Sequence, residues 1–435
     1  MRLPRSLIPA AFFLLASSAA PPPQITVARN EVESRFPLAA VFTLEASSSH
    51  AITDVVLEFA TDAKTCGEST DRVVPDDFAV GPTVVAHWTW DLRRTGALPP
   101  GTTIAWRWIV RDDSGAELVT PDRTIVIDDT QYDWRETTAG PLRLHWYSGD
   151  SSFARDLLEA GEEALQTIRH ATGIVYEGEI RAYVYADASA MQSATLFAPA
   201  WSGGLAFPEH RAVLTAIAPS ELEWGRRAMA HELTHVVIGH YTFSCLDSTP
   251  PWVSEGLAMY AEGEAEEWTE AVLEDAIRDN SLLPVRALSQ IFSNDPDLAN
   301  LSYAQSRSLV AFLIEAYGPE EMLRLLDEFR AGTPEDRALD RVYGFDRDGL
   351  EAAWREHIGA PPAPAVEGPG ARPTITAYPT FAPLVGVPLA ATSTPAPTPS
   401  ATPEPAPRPG PCAGPAALAA VGLALAWLPR SPRRW

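Results

Sequence analysis

Lysine is all but missing from this sequence, and cysteine is scarce. Of the 33 basic residues only Lys64 is a lysine, a compositional habit that carries no chemistry of its own. Net positive charge is missing as well. Against 57 acidic residues the formal charge is -24 and the isoelectric point about 4.7. A field of that sign repels phosphate backbones and anionic headgroups, so nucleic acid is excluded as a partner. The acidity itself reads as a solubility feature rather than as selection for basic substrates. There is no glycine-rich phosphate loop and no Gly-x-Ser-x-Gly elbow, which leaves nucleotide-dependent and serine-hydrolase chemistry without support. The three cysteines are widely spread. Cys66 and Cys245 fall in what read as different domains, so two separate buried thiols are expected ahead of a bridge between them, and Cys412 lies in the C-terminal tail.

What is present is ordinary globular material: 435 residues, 46% hydrophobic and 21% charged, enough for two folded units plus tails. Residues 1–20 have the form of a signal peptide, with Arg2 and Arg5, an apolar stretch from Leu7 to Leu15, and small residues up to Ala20. The mature chain is thus expected outside the cytoplasm, where disulfides persist. Residues 361–411 are rich in Pro, Ala, Thr and Ser and read as an extended stalk that cannot bury a core. Residues 412–435 carry an apolar run, Ala416 to Leu428, followed by Arg430, Arg433 and Arg434. At 13 residues the run is shorter than the roughly 20 a spanning helix needs. Its layout, Pro411-Cys412-Ala413-Gly414 before the apolar run and the arginines, resembles bacterial sorting signals in which a Cys-Gly motif precedes a brief membrane segment. The expectation is a protein held at the outer cell surface, either sorted through this tail or anchored by it. The oligomeric state is left open.

Two folded units lie between these ends. In residues 24–130 apolar side chains recur at every second position, as in Phe42, Leu44 and Ala46, Val55, Leu57 and Phe59, and Ile104, Trp106, Trp108 and Val110. Turn sequences such as Pro99-Pro100-Gly101 separate the runs, and the pattern predicts an antiparallel, immunoglobulin-like β-sandwich. Trp88, Trp90, Trp106 and Trp108 are assigned to cross-strand packing in preference to a ligand platform. Residues 140–360 form a mixed unit. Strands are expected at Leu142 to Trp146 and Ile180 to Tyr185, a helix at Phe153 to His170, and an edge hairpin at Gly203 to Ala206 and Ala212 to Thr215. From Glu221 to about His357 everything reads as helix, so the class is α+β, a small mixed sheet with a helical half.

The chemistry sits at His231-Glu232-Leu233-Thr234-His235. Within a helix, residues four apart stand one turn above each other, so both imidazoles reach one zinc ion from the same face. Glu232 is placed to take a proton from water at the open metal position. Val236 and Val237 make the helix apolar beside the histidines, the setting of a buried metal, and Gly239 is expected to end it before His240. After 19 intervening residues, Glu255 stands near the start of a new helix whose entry Pro250 and Pro251 fix. Two histidines and one carboxylate leave a fourth zinc position open, the layout of a catalytic site. Glu262, two turns further on, is read as a solvated helix residue in preference to a support for a ligand.

His231 to His235, followed by Trp252-x-x-Glu255-Gly256-x-Ala258-x-Tyr260, resembles the peptidase-MA-like gluzincins, whose distant relatives include thermolysin and the membrane-alanyl aminopeptidases. The similarity continues through Ser302-Tyr303-Ala304-Gln305-Ser306, Tyr317-Gly318 and Val342-Tyr343-Gly344 with Trp354, and so covers most of residues 142–359. It implies that His231, His235 and Glu255 bind zinc and that Glu232 is the base. For Tyr303 it implies a hydroxyl opposite the base that steadies the tetrahedral oxyanion, although packing between two helices explains the residue equally well. Gly204, Leu205 and Ala206 are taken as the edge strand along which a peptide substrate pairs. The Gly-Ala-Met-Glu-Asn segment of the aminopeptidases is absent, so the expected activity is endoproteolytic hydrolysis of a peptide or protein substrate. The competing expectation is a cell-surface binding or adhesion protein whose zinc domain is inactive or structural.

Overall fold

The computed structural model describes residues 25–363 apart from 68–69, 76, 97 and 197–202. The segment read as an export signal, nearly all of the expected stalk, and the C-terminal segment with Cys412 lie outside the described residues. Among the described residues no helix is long and apolar enough to cross a membrane.

Period-two alternation becomes strands as expected: β1 (Thr26–Arg35), β2 (Ala39–Thr61), β3 (Asp71–Val73), β4 (Gly81–Asp91), β5 (Thr102–Asp112), β6 (Glu117–Val119) and β7 (Arg123–Ile127), with the short helix α1 (Leu92–Thr95) after β4. The hydrogen bonds draw one seven-stranded sheet. It turns on β2, whose first half pairs with β1 and β4 and whose second half pairs with β3 and β5, the register breaking between Ser47 and Ile52. The halves bring their apolar faces together, with the Phe42 ring 5.8 Å from Phe59 and 6.0 Å from Trp106. The tryptophans pack as assigned: Trp88 and Trp90 each lie 4.9 Å from Phe59, and Trp108 is fully buried.

The second unit opens with β8 (Arg135–Ala139) and β9 (Leu142–Trp146), then α2 (Ser151–Thr172), β10 (Ile180–Tyr185), α3 (Ala188–Ser193), β11 (Gly204–Phe207) and β12 (Ala212–Ala216). Its five-stranded sheet runs β11-β12-β10-β9-β8, with the inner three strands parallel and the outer two antiparallel. The expected hairpin is there, and β11 is the sheet's edge among the described residues. Asp150 caps α2 by accepting from the backbone N–H groups of Ser152 and Phe153. The remaining helices are α4 (Leu222–Tyr241), α5 (Pro251–Ala261), α6 (Glu267–Arg278), α7 (Val285–Leu288), α8 (Pro296–Tyr317), α9 (Pro319–Arg330), α10 (Glu335–Tyr343) and α11 (Arg347–His357). One buried core runs from Leu144 and Trp146 in the sheet through Leu157, Leu233 and Leu309 to Trp354. At Gly161 a Cβ would lie 2.6 Å from Leu142 and 2.8 Å from Leu233, so glycine is what lets α2 close on both the sheet and α4.

Two expectations fail here. Helix α4 does not stop at Gly239 but runs on to Tyr241; Gly239 instead lets Pro208 approach to where a Cβ would lie 2.7 Å from it. Cys66 and Cys245 are not separate thiols but form a disulfide, with Cα atoms 5.6 Å apart. The loop after β2 crosses to the end of α4, and the distance in sequence disappears in the fold. Beside the bridge, Lys64 donates to the carbonyl of His240 at 2.7 Å and lies 5.3 Å over the Phe243 ring. On the same seam Arg181 binds the carbonyls of Gly101 and His210 and lies 3.3 Å from the Asp62 carboxylate.

Candidate metal centre

His231 and His235 project from one face of α4 with their Nε2 atoms 3.0 Å apart and their rings at 76°. Glu255, in the second turn of α5, brings its Oε2 to 3.4 Å from His231 Nε2 and 3.3 Å from His235 Nε2. Ligands about 2.0–2.1 Å from a tetrahedral ion stand roughly 3.3–3.4 Å from one another, so a triangle of this size suits zinc. The three side chains are 1%, 7% and 1% exposed, and Oε2 of Glu255 is buried without an aligned hydrogen bond. Lone pairs and a carboxylate gathered in a dry site need a cation. Among the described residues this is the one group of His, Cys, Asp and Glu side chains close enough together to hold a metal.

The outer nitrogens of both rings are engaged. Nδ1 of His231 donates to Glu262 Oε1 at 2.8 Å, and Nδ1 of His235 pairs with Ser254 Oγ at 2.9 Å, which turns both Nε2 atoms toward the ion site. Glu262 is therefore not the solvated residue expected: its side chain is 4% exposed, and its second oxygen lies 3.2 Å from Arg227. Its position seven residues after Glu255, with Arg227 four before His231, was a readable signal. The involvement of Ser254 was not, since its role depends on the angle between α4 and α5.

Glu255 is held in place by its neighbours. Trp252 is fully buried and donates to Glu335 at 2.8 Å, while a Cβ on Gly256 would lie 2.4 Å from the Ser306 carbonyl oxygen, so α5 packs directly on the backbone of α8. Burial opposes charge on Glu255, yet His235 and His231 bring its pKa down to about 2. Burial also opposes charge on His231, but Glu255 and Glu262 outweigh it and raise its pKa to about 10. A cavity this anionic attracts positive charge, and an ion at Nε2 displaces the proton.

Glu232 is 2% exposed, and burial raises its carboxyl to about 7 against the pull of His231 and His235. Its Oε2 has no hydrogen-bond partner, and Glu232 itself lines a cavity of about 20 Å³ together with Gly203, Gly204, Trp224, Arg227 and His231. That is room for one water. Tyr303, on α8, is 7% exposed and meets Phe292 edge to face at 5.3 Å. Burial, followed by the negative fields of Glu255, Glu232 and Glu262, pushes its hydroxyl far above its ordinary pKa. Of the substrate-strand residues, Gly204 abuts Glu232, whereas Leu205 and Ala206 continue β11 as buried residues.

A buried His, His, Glu triangle with a buried glutamate and a water-sized space beside it is an arrangement that can hold a divalent metal and activate water next to it. Residues 160–360 match the family model of the Peptidase MA superfamily. No curated protein matches the sequence. Among solved structures, the chain is similar to an M1 zinc metallopeptidase from Deinococcus radiodurans, with 12% identity, 78% of this chain and 96% of that one covered, and a TM-score of 0.34. A variant of that enzyme bound to a Tyr-Ser-Ala substrate gives 14% identity, the same coverage and a TM-score of 0.35. An aminopeptidase N family protein from Idiomarina loihiensis gives 11% identity, 74% of each chain and a TM-score of 0.35.

Proposed function

We propose that this protein is an exported zinc endopeptidase that cuts peptides or proteins at the outer cell surface. The observation that carries the reading is the buried triangle of His231, His235 and Glu255 next to a buried, unpartnered Glu232. Bound there, zinc supplies a Lewis acid that polarises the scissile carbonyl and acidifies water. Glu232 takes the proton from that water and returns it to the leaving amine. Tyr303 donates its hydroxyl to the oxyanion that develops on the far side. Substrate lies extended along β11, antiparallel or parallel to Gly204, Leu205 and Ala206, adding a strand to the sheet edge.

Endoproteolysis is favoured because the carboxylates lining the centre are all committed. Glu232 faces the water space, Glu255 the ion, and Glu262 binds His231 and Arg227, which leaves none of the three to hold a free amino terminus. Export is supported by the N-terminal signal pattern and by the Cys66–Cys245 bridge, which belongs to an oxidising compartment. We read the N-terminal unit as immunoglobulin-like, supported by its two apolar faces closing on each other, and the stalk and tail as the means of retention at the membrane. The test is proteome-wide cleavage profiling of wild type against Glu232→Gln. The wild type is expected to cut in a chelator-sensitive way, while the variant keeps about one zinc and loses turnover by roughly 10³-fold or more. A zinc-loaded wild type that cuts no peptide favours a binding role instead.

A further inference from the structure

The structure assigns Gly204 a positioning role: by having no side chain, it forms the wall that sets the carboxylate of Glu232. An ideal Cβ at this position would lie 2.6 Å from Glu232 Oε1, 2.7 Å from its Cγ and 2.8 Å from its Cδ, all closer than real Cβ atoms come. Gly204 is not among the glycines with positive φ, and it sits in the regular pairing of β11 with β12, opposite Thr215. Nothing in the backbone therefore asks for glycine; Glu232 does. One side of the carboxylate lies against the strand, Oε2 is buried without a partner, and the residue borders the water-sized space. A glutamate has three side-chain torsions, and the strand removes the freedom that would let the base swing out of line. This inference rests on the proposed function, in which Glu232 is the base.

The experiment uses the full-length, zinc-loaded protein carrying Gly204→Ala alone or together with Glu232→Gln or Glu232→Ala. Alone, the methyl group is expected to lower kcat by about 100-fold while KM moves less than about threefold and zinc stays at one per chain. It is also expected to lower the melting temperature by several degrees in wild type and in Glu232→Gln, which keeps the shape of the base. In Glu232→Ala, where the colliding atoms are gone, the same methyl should have no effect on melting. If Gly204→Ala costs the fold or the metal outright, adding Glu232→Ala should restore both. An unchanged kcat, or a melting loss that persists in Glu232→Ala, overturns the assignment. The melting and zinc readouts need no turnover. A wild type that cuts no peptide thus counts against the function, and a methyl tolerated beside Glu232 counts against the wall.

Discussion

Glu262 acts on the proposed metal site without being one of its three candidate ligands. Its carboxylate fixes His231 Nδ1 at 2.8 Å and is itself anchored by Arg227 at 3.2 Å, so the imidazole presents Nε2 at a set angle. Glu262→Ala is expected to weaken zinc binding by about 10–100-fold in competition with a chelator, and unchanged affinity would refute the role. Glu232 makes a prediction of its own. Burial raises its carboxyl to about 7 in the protein alone, and a nearby dication pulls it down from there. A base must be ionised to work, so kcat/KM with zinc in excess should fall with pH on the acid side, with an apparent pKa at or below about 7. A profile flat to pH 4 would contradict this. At this scale the sequence was informative where spacing alone decides, as with His231, Glu232 and His235. It was silent for Ser254, and for Glu262 the spacing was readable but the burial, which depends on where α4 lies against the end of α5, was not.

The site is carried by one close helix contact and by a loop that holds the end of α4. Helix α5 reaches α8 at Gly256, where a Cβ would meet the Ser306 carbonyl oxygen at 2.4 Å, a backbone atom that cannot yield. Gly256→Ala should therefore push Glu255 off the triangle and destabilise the fold by about 1–3 kcal/mol, with loss of bound zinc as the readout. Full zinc content in that variant would show that α5 adapts. The end of α4 is held from outside its own domain by Lys64 and by Cys66–Cys245. Removing both sulfurs, as Cys66→Ala/Cys245→Ala, is expected to cost about 2–5 kcal/mol in reversible unfolding. The elements themselves were readable: period two marked the strands, the 3.6-residue stripe marked α4, and Pro250 with Pro251 marked the start of α5. What periodicity could not convey is that the runs at Phe42 and Phe59 belong to one strand folding back on itself, since the register break lies in the polar Ser47 to His50 segment.

At the scale of the molecule, the N-terminal sheet meets the second unit along a seam held by an ion pair, a hydrogen bond and a disulfide. The loop of residues 61–67 brings Asp62, Lys64 and Cys66 to Arg181, His240 and Cys245, so the first unit bears on the helix that carries both histidines. Their pairing was invisible in the sequence because Cys66 and Cys245 are 179 residues apart and no local pattern joins them. Removing metal should lower the melting temperature of the whole protein, because an ion bound only by the folded state stabilises it by mass action. The most direct test of the central claim is zinc-edge X-ray absorption on the purified protein. It should report two imidazole nitrogens and a carboxylate oxygen at about 2.0–2.1 Å with a further light ligand, and Glu255→Ala should lose one of them. A shell without histidine, or a protein that takes up no zinc when it is supplied, would contradict it.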